Sequence, residues 1–149
     1  MVAVYVDADA CPVKDETVAV ATRHNLKVFM VSDGGIRPHQ SPLVEMVFVT
    51  QGADAADDWI AEHIDAHDIC ITNDIPLAAR CLEKNAAALK PNGEAFSEQS
   101  IGMALANREL MQGLRETGRI TGGPRPYSKS DRSQFLNRLE TTVQAALRQ

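Results

Sequence analysis

Asp7 and Asp9 stand at the end of the first apolar run, Val2-Ala3-Val4-Tyr5-Val6, just ahead of Pro12. Asp54, Asp57 and Asp58 follow a later apolar run and the turn Gln51-Gly52-Ala53, and Asp74 closes another run, Ile69-Cys70-Ile71-Thr72-Asn73. Carboxylates crowded into one place repel one another unless a cation or a proton intervenes. Oxygen donors without a convergent His or Cys favour a hard ion, so Mg²⁺ or Mn²⁺ is the expected cofactor. Such an ion lowers the pKa of a bound water and neutralises charge building on a phosphate, and a free carboxylate can take the water's proton. The chemistry this predicts is hydrolysis of a phosphodiester or phosphomonoester. Taken singly, Asp54 reads as a helix cap and Asp74 as a turn residue before Pro76. Three aspartates at strand ends, one of them in an Asp-x-Asp pair, carry the metal reading.

The elements that must position these groups follow from periodicity. Residues 2–6 read as a strand apolar on both faces, which suits a central parallel strand. Pro12 suits the first turn of a helix running to about residue 24, with Asn25 closing it in a left-handed conformation. Strands are predicted at 27–31, 46–50, 69–72 and 86–89. Helices are predicted from the cap Asp54 to about 66 and from Pro76 to about 85. Alternating strands and helices with short connections predict an α/β domain with a mainly parallel sheet. Ligands in such sheets bind beyond the carboxyl ends of the strands, so Asp7, Asp54 and Asp74 should share one edge. Positions 54, 57 and 58 share one face of a helix. Beyond a turn at 90–93 the chain turns helical, over about 98–115 and again to about 147. Ser130 is the expected cap of the last helix, without a capping box because Ser133 stands three residues on, and Phe135, Leu139, Val143 and Leu147 share a face. The expected organisation is one domain over 1–149, with a sheet core at 1–90 and a helical extension at 91–149.

With 149 residues, 44% hydrophobic and 23% charged, the chain has the size and balance of an ordinary globular domain. No apolar run approaches the length of a membrane span, and the first run lacks the basic flank and length of a signal peptide, so the expected location is cytoplasmic. The cysteines, Cys11, Cys70 and Cys81, are odd in number and without CxxC spacing. That argues against a disulfide framework or zinc knuckle and makes Cys70 a small core residue. The net charge of −5 is divided unevenly: residues 1–76 hold 13 acidic and 4 basic side chains, residues 77–149 hold 7 and 11. A cation-seeking half thus adjoins an anion-seeking one.

Four stretches together are similar to a known family. Val6-Asp7-Ala8-Asp9-Ala10-Cys11-Pro12, Gly52-Ala53-Asp54-Ala55-Ala56-Asp57, Ile71-Thr72-Asn73-Asp74-Ile75-Pro76-Leu77-Ala78, and Gly122-Gly123-Pro124 with Asp131-Arg132 and Phe135 resemble the YaiI/YqxD family of bacterial proteins. The resemblance spans nearly the whole chain. That family is grouped with PIN-like and NYN-like domains, which implies a parallel sheet between helices and, from many relatives, a metal-dependent ribonuclease. It implies that Asp7, Asp54 and Asp74 are metal ligands, with Asp57 the second acid of the middle helix and Asp9 a supporting or alternative ligand. The sequence departs from the family pattern at Asn85, where glycine is usual; asparagine also tolerates a left-handed backbone.

Arg108, Arg115, Arg119, Arg125, Lys129 and Arg132 form a basic run beside the Gly122-Gly123-Pro124 turn, with Tyr127 offering a ring on which a base could stack. The run reads as a clamp on a nucleic-acid backbone, RNA by the resemblance, and otherwise as a solvated helical surface. A homodimer is compatible with the sequence. Two other readings exist. Asp7-x-Asp9 after a strand superficially fits a haloacid-dehalogenase-like phosphatase with Asp7 as nucleophile, although Cys11-Pro12 stands where that class places Thr or Val. A non-catalytic RNA-binding module retaining an acidic pocket is the third.

Overall fold

The computed structural model describes residues 2–34, 39, 41–50, 54–103, 105–106 and 127–148. Strand β1 (Ala3–Asp7) is the middle of a five-stranded sheet with β2 (Lys27–Ser32), β3 (Val44–Phe48), β4 (Ile69–Ile71) and β5 (Ala87–Leu89), in the order β3-β2-β1-β4-β5. Every pairing of these strands is parallel. The central place of β1 explains why its sequence is apolar on both faces. Val4 and Val6 are buried in one core cluster, and Tyr5 in the other.

Helices α1 (Lys14–Arg23), α2 (Ala55–His63), α3 (Ile75–Glu83), α4 (98–103) and α5 (Lys129–Leu147) enclose the sheet. Val18, Val20 and Ala21 of α1 share one core with Phe135, Leu139 and Val143 of α5. Ile60 of α2, Leu77, Ala78 and Cys81 of α3 and Ile101 of α4 fill the other. The result is the expected α/β architecture, a parallel sheet between helical layers, with a C-terminal helix added. Cys11, Cys70 and Cys81 are all buried free thiols.

Local signals set most boundaries. Helices α1 and α3 each end at an asparagine of positive φ, Asn25 at 55° and Asn85 at 64°. In each case the next N–H reaches back to close the end, Leu26 to the Ala21 carbonyl at 2.8 Å and Ala86 to that of Cys81 at 3.1 Å. Helix α2 stops at His63, short of the expected residue 66, and His67 carries a positive φ of 71° in the turn that follows. Strand β3 begins two residues earlier than its apolar run suggests, because Val28 pairs with Val44.

The start of α5 corrects the sequence reading. Ser128, not Ser130, is the cap, and a capping box is present: Ser128 Oγ accepts from the Asp131 N–H, and Asp131 Oδ2 accepts from the Ser128 N–H at 3.0 Å. The far side of α5 is fixed by a close approach. A Cβ on Gly93 (φ 93°) would stand 2.7 Å from the Gln134 carbonyl, so only glycine lets the 90–93 turn lie on the α5 backbone. Phe135 is wholly buried at this junction. Phe135→Ala is expected to cost about 3–5 kcal/mol of stability, read as a lower urea midpoint at unchanged slope.

Candidate functional site

In a sheet of this order the chain runs outward from β1 through β2 to β3, then crosses back to β4 on the other side of β1 and outward again to β5. The crevice between the carboxyl ends of β1 and β4 is therefore the topological switch point, where open α/β sheets bind ligands. Asp7 is the last residue of β1, and Thr72 and Asp74 follow β4. A cavity of about 390 Å³ opens there, lined by Asp7, Thr72, Asn73 and Asp74 and by the apolar Cys11, Ile71, Ile75 and Pro91.

Thr72 ties the two carboxylate-bearing segments together. Its buried hydroxyl donates to Asp7 Oδ2 at 3.0 Å and accepts from the Asp74 N–H at 2.9 Å. Asp74 caps α3, with Oδ1 accepting from the Leu77 N–H at 2.8 Å. Asp74 is thus a cap and a cavity wall at once. Sequence reasoning placed Thr72 only as a strand end. The signal was its position two residues before Asp74, where a hydroxyl can form a local turn with the backbone.

Asp57, in the first turn of α2, completes the cluster. Its carboxyl is pushed up to about 7 by burial, then by the charges of Asp74 and Asp7, by a carboxyl–carboxylate interaction with Asp74 and by the charge of Asp54. Asp7 is raised above the ordinary aspartate range by burial. Hydrogen bonding from Thr72 lowers it, and the charges of Asp74 and Asp9 raise it. The structure therefore brings Asp7, Asp57 and Asp74 into one electrostatic unit, with Asp54 at its edge. Asp54 precedes α2 and is exposed, and its side chain makes no capping bond. Asp58 is drawn away by Arg80, whose Nη1 lies 2.8 Å from Asp58 Oδ1.

Asp9 has a different setting. Ser32 Oγ donates to its Oδ1 at 2.5 Å and the Asp33 N–H to its Oδ2 at 3.2 Å. Both oxygens brace the end of β2, so Asp9 holds the turn after Asp7 rather than projecting freely into the cavity. Lys14 braces the same turn from below, donating to the Ala8 and Cys11 carbonyls at 3.2 Å each.

Thr72→Val removes the donor that steadies the charged form of Asp7. The expected result is a further rise in the Asp7 pKa and a loss of about 1–3 kcal/mol of stability. Carboxyl titration by NMR and a urea melt check both.

The donor set of this cluster is oxygen alone, and its like charges approach closely enough to hold a proton near neutrality, so its chemistry suits a hard divalent cation. Among the described residues no three His, Cys, Asp or Glu side chains stand in a ready-made ligating arrangement.

The segment that opens α5 meets the cavity lining at Pro91. Tyr127 donates its hydroxyl to the Pro91 carbonyl at 2.8 Å, and Arg132 Nε lies 3.8 Å from Glu16 Oε2. Lys129 is exposed in the first turn of the same helix. Arg108, Arg115 and Arg125, with the Gly122-Gly123-Pro124 turn, lie outside the described residues. Among the described residues no helix is long and apolar enough to cross a membrane.

Comparison with known proteins follows the same residues. The profile of the family described as "Uncharacterized BCR, YaiI/YqxD family" matches residues 5–145. A UPF0178 protein of Parvibaculum lavamentivorans is 61% identical over 148 residues, 99% of this chain and 97% of the relative. A UPF0178 protein of Rhodopseudomonas palustris (strain TIE-1) is 57% identical, covering 97% of this chain and 92% of its own length. One of Paramagnetospirillum magneticum is 55% identical, covering 99% and 98%. No solved structure matches. With a profile that begins in β1 and ends in α5, and with relatives alike from end to end, the chain belongs to the YaiI/YqxD family.

Proposed function

We propose that this protein is a divalent-metal-dependent phosphodiesterase acting on RNA, with Mg²⁺ or Mn²⁺ held by Asp7, Asp57 and Asp74. The observation that supports this reading is that Asp7 and Asp74 line one cavity at the switch point of a parallel sheet, with Asp57 of a third element coupled to both by charge. Asp54 adds charge from outside, and Asp9 supports the turn that carries Asp7. When bound, the ion supplies charge neutralisation at phosphorus and a water of lowered pKa. The chain's own contribution is positional. Thr72 fixes the direction of Asp7, the α3 N-terminus fixes Asp74, and whichever carboxylate is not ligating accepts a proton from water. Lys129 and Arg132, and beyond the described residues Arg108, Arg115 and Arg125, contact the phosphate backbone. The same reading puts its work in the cytoplasm.

The test is turnover of an RNA panel and of a generic phosphodiester with Mg²⁺, Mn²⁺ or a chelator. Metal-dependent cleavage is expected, lost with the chelator. A trapped aspartyl-phosphate on Asp7 would point instead to the phosphatase reading. Salt-sensitive RNA binding with no turnover in any metal would point to a non-catalytic module.

A further inference from the structure

The segment that opens α5 meets the cavity lining at Pro91, and it carries an aromatic ring followed by two exposed cations, Lys129 and Arg132. The Tyr127 hydroxyl is anchored on the carbonyl of Pro91, a cavity-lining residue, and its ring is 39% exposed. Its electrostatic surroundings include Glu16, Asp131, Cys11 and Arg132, and Cys11 also lines the cavity. Lys129 lies two residues beyond Tyr127 and is exposed. Arg132, 56% exposed, touches Glu16 only at 3.8 Å.

A part-exposed ring held by its polar end, on a segment that carries exposed cations, is an arrangement that can receive an unpaired base and its phosphate. Base stacking on an aromatic face is sequence-tolerant, and lysine and arginine neutralise the adjoining backbone. The anchoring hydrogen bond matters, because it orders the ring in advance and lowers the cost of binding. The cavity beside it, about 390 Å³ with one apolar wall, can receive a single nucleotide but not the two paired strands of a duplex.

From this placement we infer that Tyr127 is a substrate-binding residue that stacks one unpaired nucleobase beside the cavity, with Lys129 and Arg132 holding its phosphate, so that the substrate is a nucleic acid with an unpaired nucleotide at the site. The inference rests on the proposed RNA function but not on cleavage. It is tested by binding alone.

Fluorescence anisotropy of a labelled single-stranded oligoribonucleotide, and of the same backbone carrying abasic residues, is measured with the full chain in a chelating buffer. Tyr127→Leu is expected to weaken binding of the base-bearing strand about tenfold and to leave the abasic strand unchanged. Tyr127→Phe, which keeps the ring and loses the bond to Pro91, is expected to retain most of the base-dependent affinity. Lys129→Gln is expected to weaken both strands alike and to lower the salt dependence. The inference is overturned if Tyr127→Leu weakens both strands equally, if it weakens neither, if a fully paired duplex binds as tightly as the single strand, or if no strand binds. Melting curves identify a variant that has lost its fold, in which case the Phe variant and the duplex comparison decide. A wild-type protein that binds in this pattern yet never cleaves in Mn²⁺ would remove the hydrolase reading and leave this one standing.

Discussion

Asp7→Asn is expected to reduce metal-dependent hydrolysis by about 10³-fold while leaving the fold as stable as before, or more so. The two halves of this result have one physical source. Asp7 is half-buried at the end of the central strand, and its desolvation and the charges of Asp74 and Asp9 raise its pKa. Replacing its carboxylate with an amide of the same shape relieves that repulsion, and the amide still accepts from Thr72. On the proposed metal-dependent hydrolysis, the expected loss in rate corresponds to ~4 kcal/mol of transition-state charge stabilisation, at about 1.4 kcal/mol for each factor of ten. A matched pair of measurements, single-turnover cleavage and a urea melt, separates this from simple unfolding. A variant that is inactive because it is less stable would contradict the account.

The second large effect is on pH. Asp57 is raised to about 7, whereas an unfolded aspartate titrates near 3.9. Between these values the folded protein keeps a proton that the unfolded chain has released. Stability of the metal-free protein is therefore fullest below about pH 4 as far as this group is concerned, and it declines as pH rises through about 7. Solvent reaches much of the Asp57 side chain, so screening keeps the decline shallow. The proposed metal binding is expected to run the other way. Ligands must be deprotonated, so affinity for Mn²⁺ should climb across the same window. Asp57→Asn is expected to flatten the metal-free decline, raise the melting temperature at pH 8 without metal by about 3 °C, and weaken Mn²⁺ at least about tenfold. Melts from pH 5 to 9, with chelator and with Mn²⁺, read both slopes. A wild-type protein whose metal-free stability rises from pH 5 to 8 through Asp57 would contradict this part.

The sequence exposed the frame of this site better than its details. Asp7 and Asp74 could be placed at one edge because each follows a short apolar run and precedes a proline, and parallel strands carry both to the same side. Asn25 and Asn85 marked helix ends because few other side chains accept a positive φ. The partners of Asp9 were hidden for a different reason. Ser32 lies 23 residues away, and nothing local distinguishes a carboxylate that braces a neighbouring strand from one that ligates. Ser128 was passed over for Ser130 because the apolar face of α5 fixes which side is buried, not which turn comes first. The Ser128-x-x-Asp131 spacing carried the answer, with Asp in the place where the usual box has Glu or Gln. The separation of Asp58 from Asp57 also depended on a distant residue, Arg80.

The central claim, that Asp7, Asp57 and Asp74 share a divalent ion, is met most directly by titrating Mn²⁺ into the protein at pH 8 and following the free-ion signal by electron paramagnetic resonance. Saturable binding that Asp7→Asn weakens at least about tenfold is the predicted result. Absence of saturable binding, or equal binding by the wild-type protein and the variant, would contradict it.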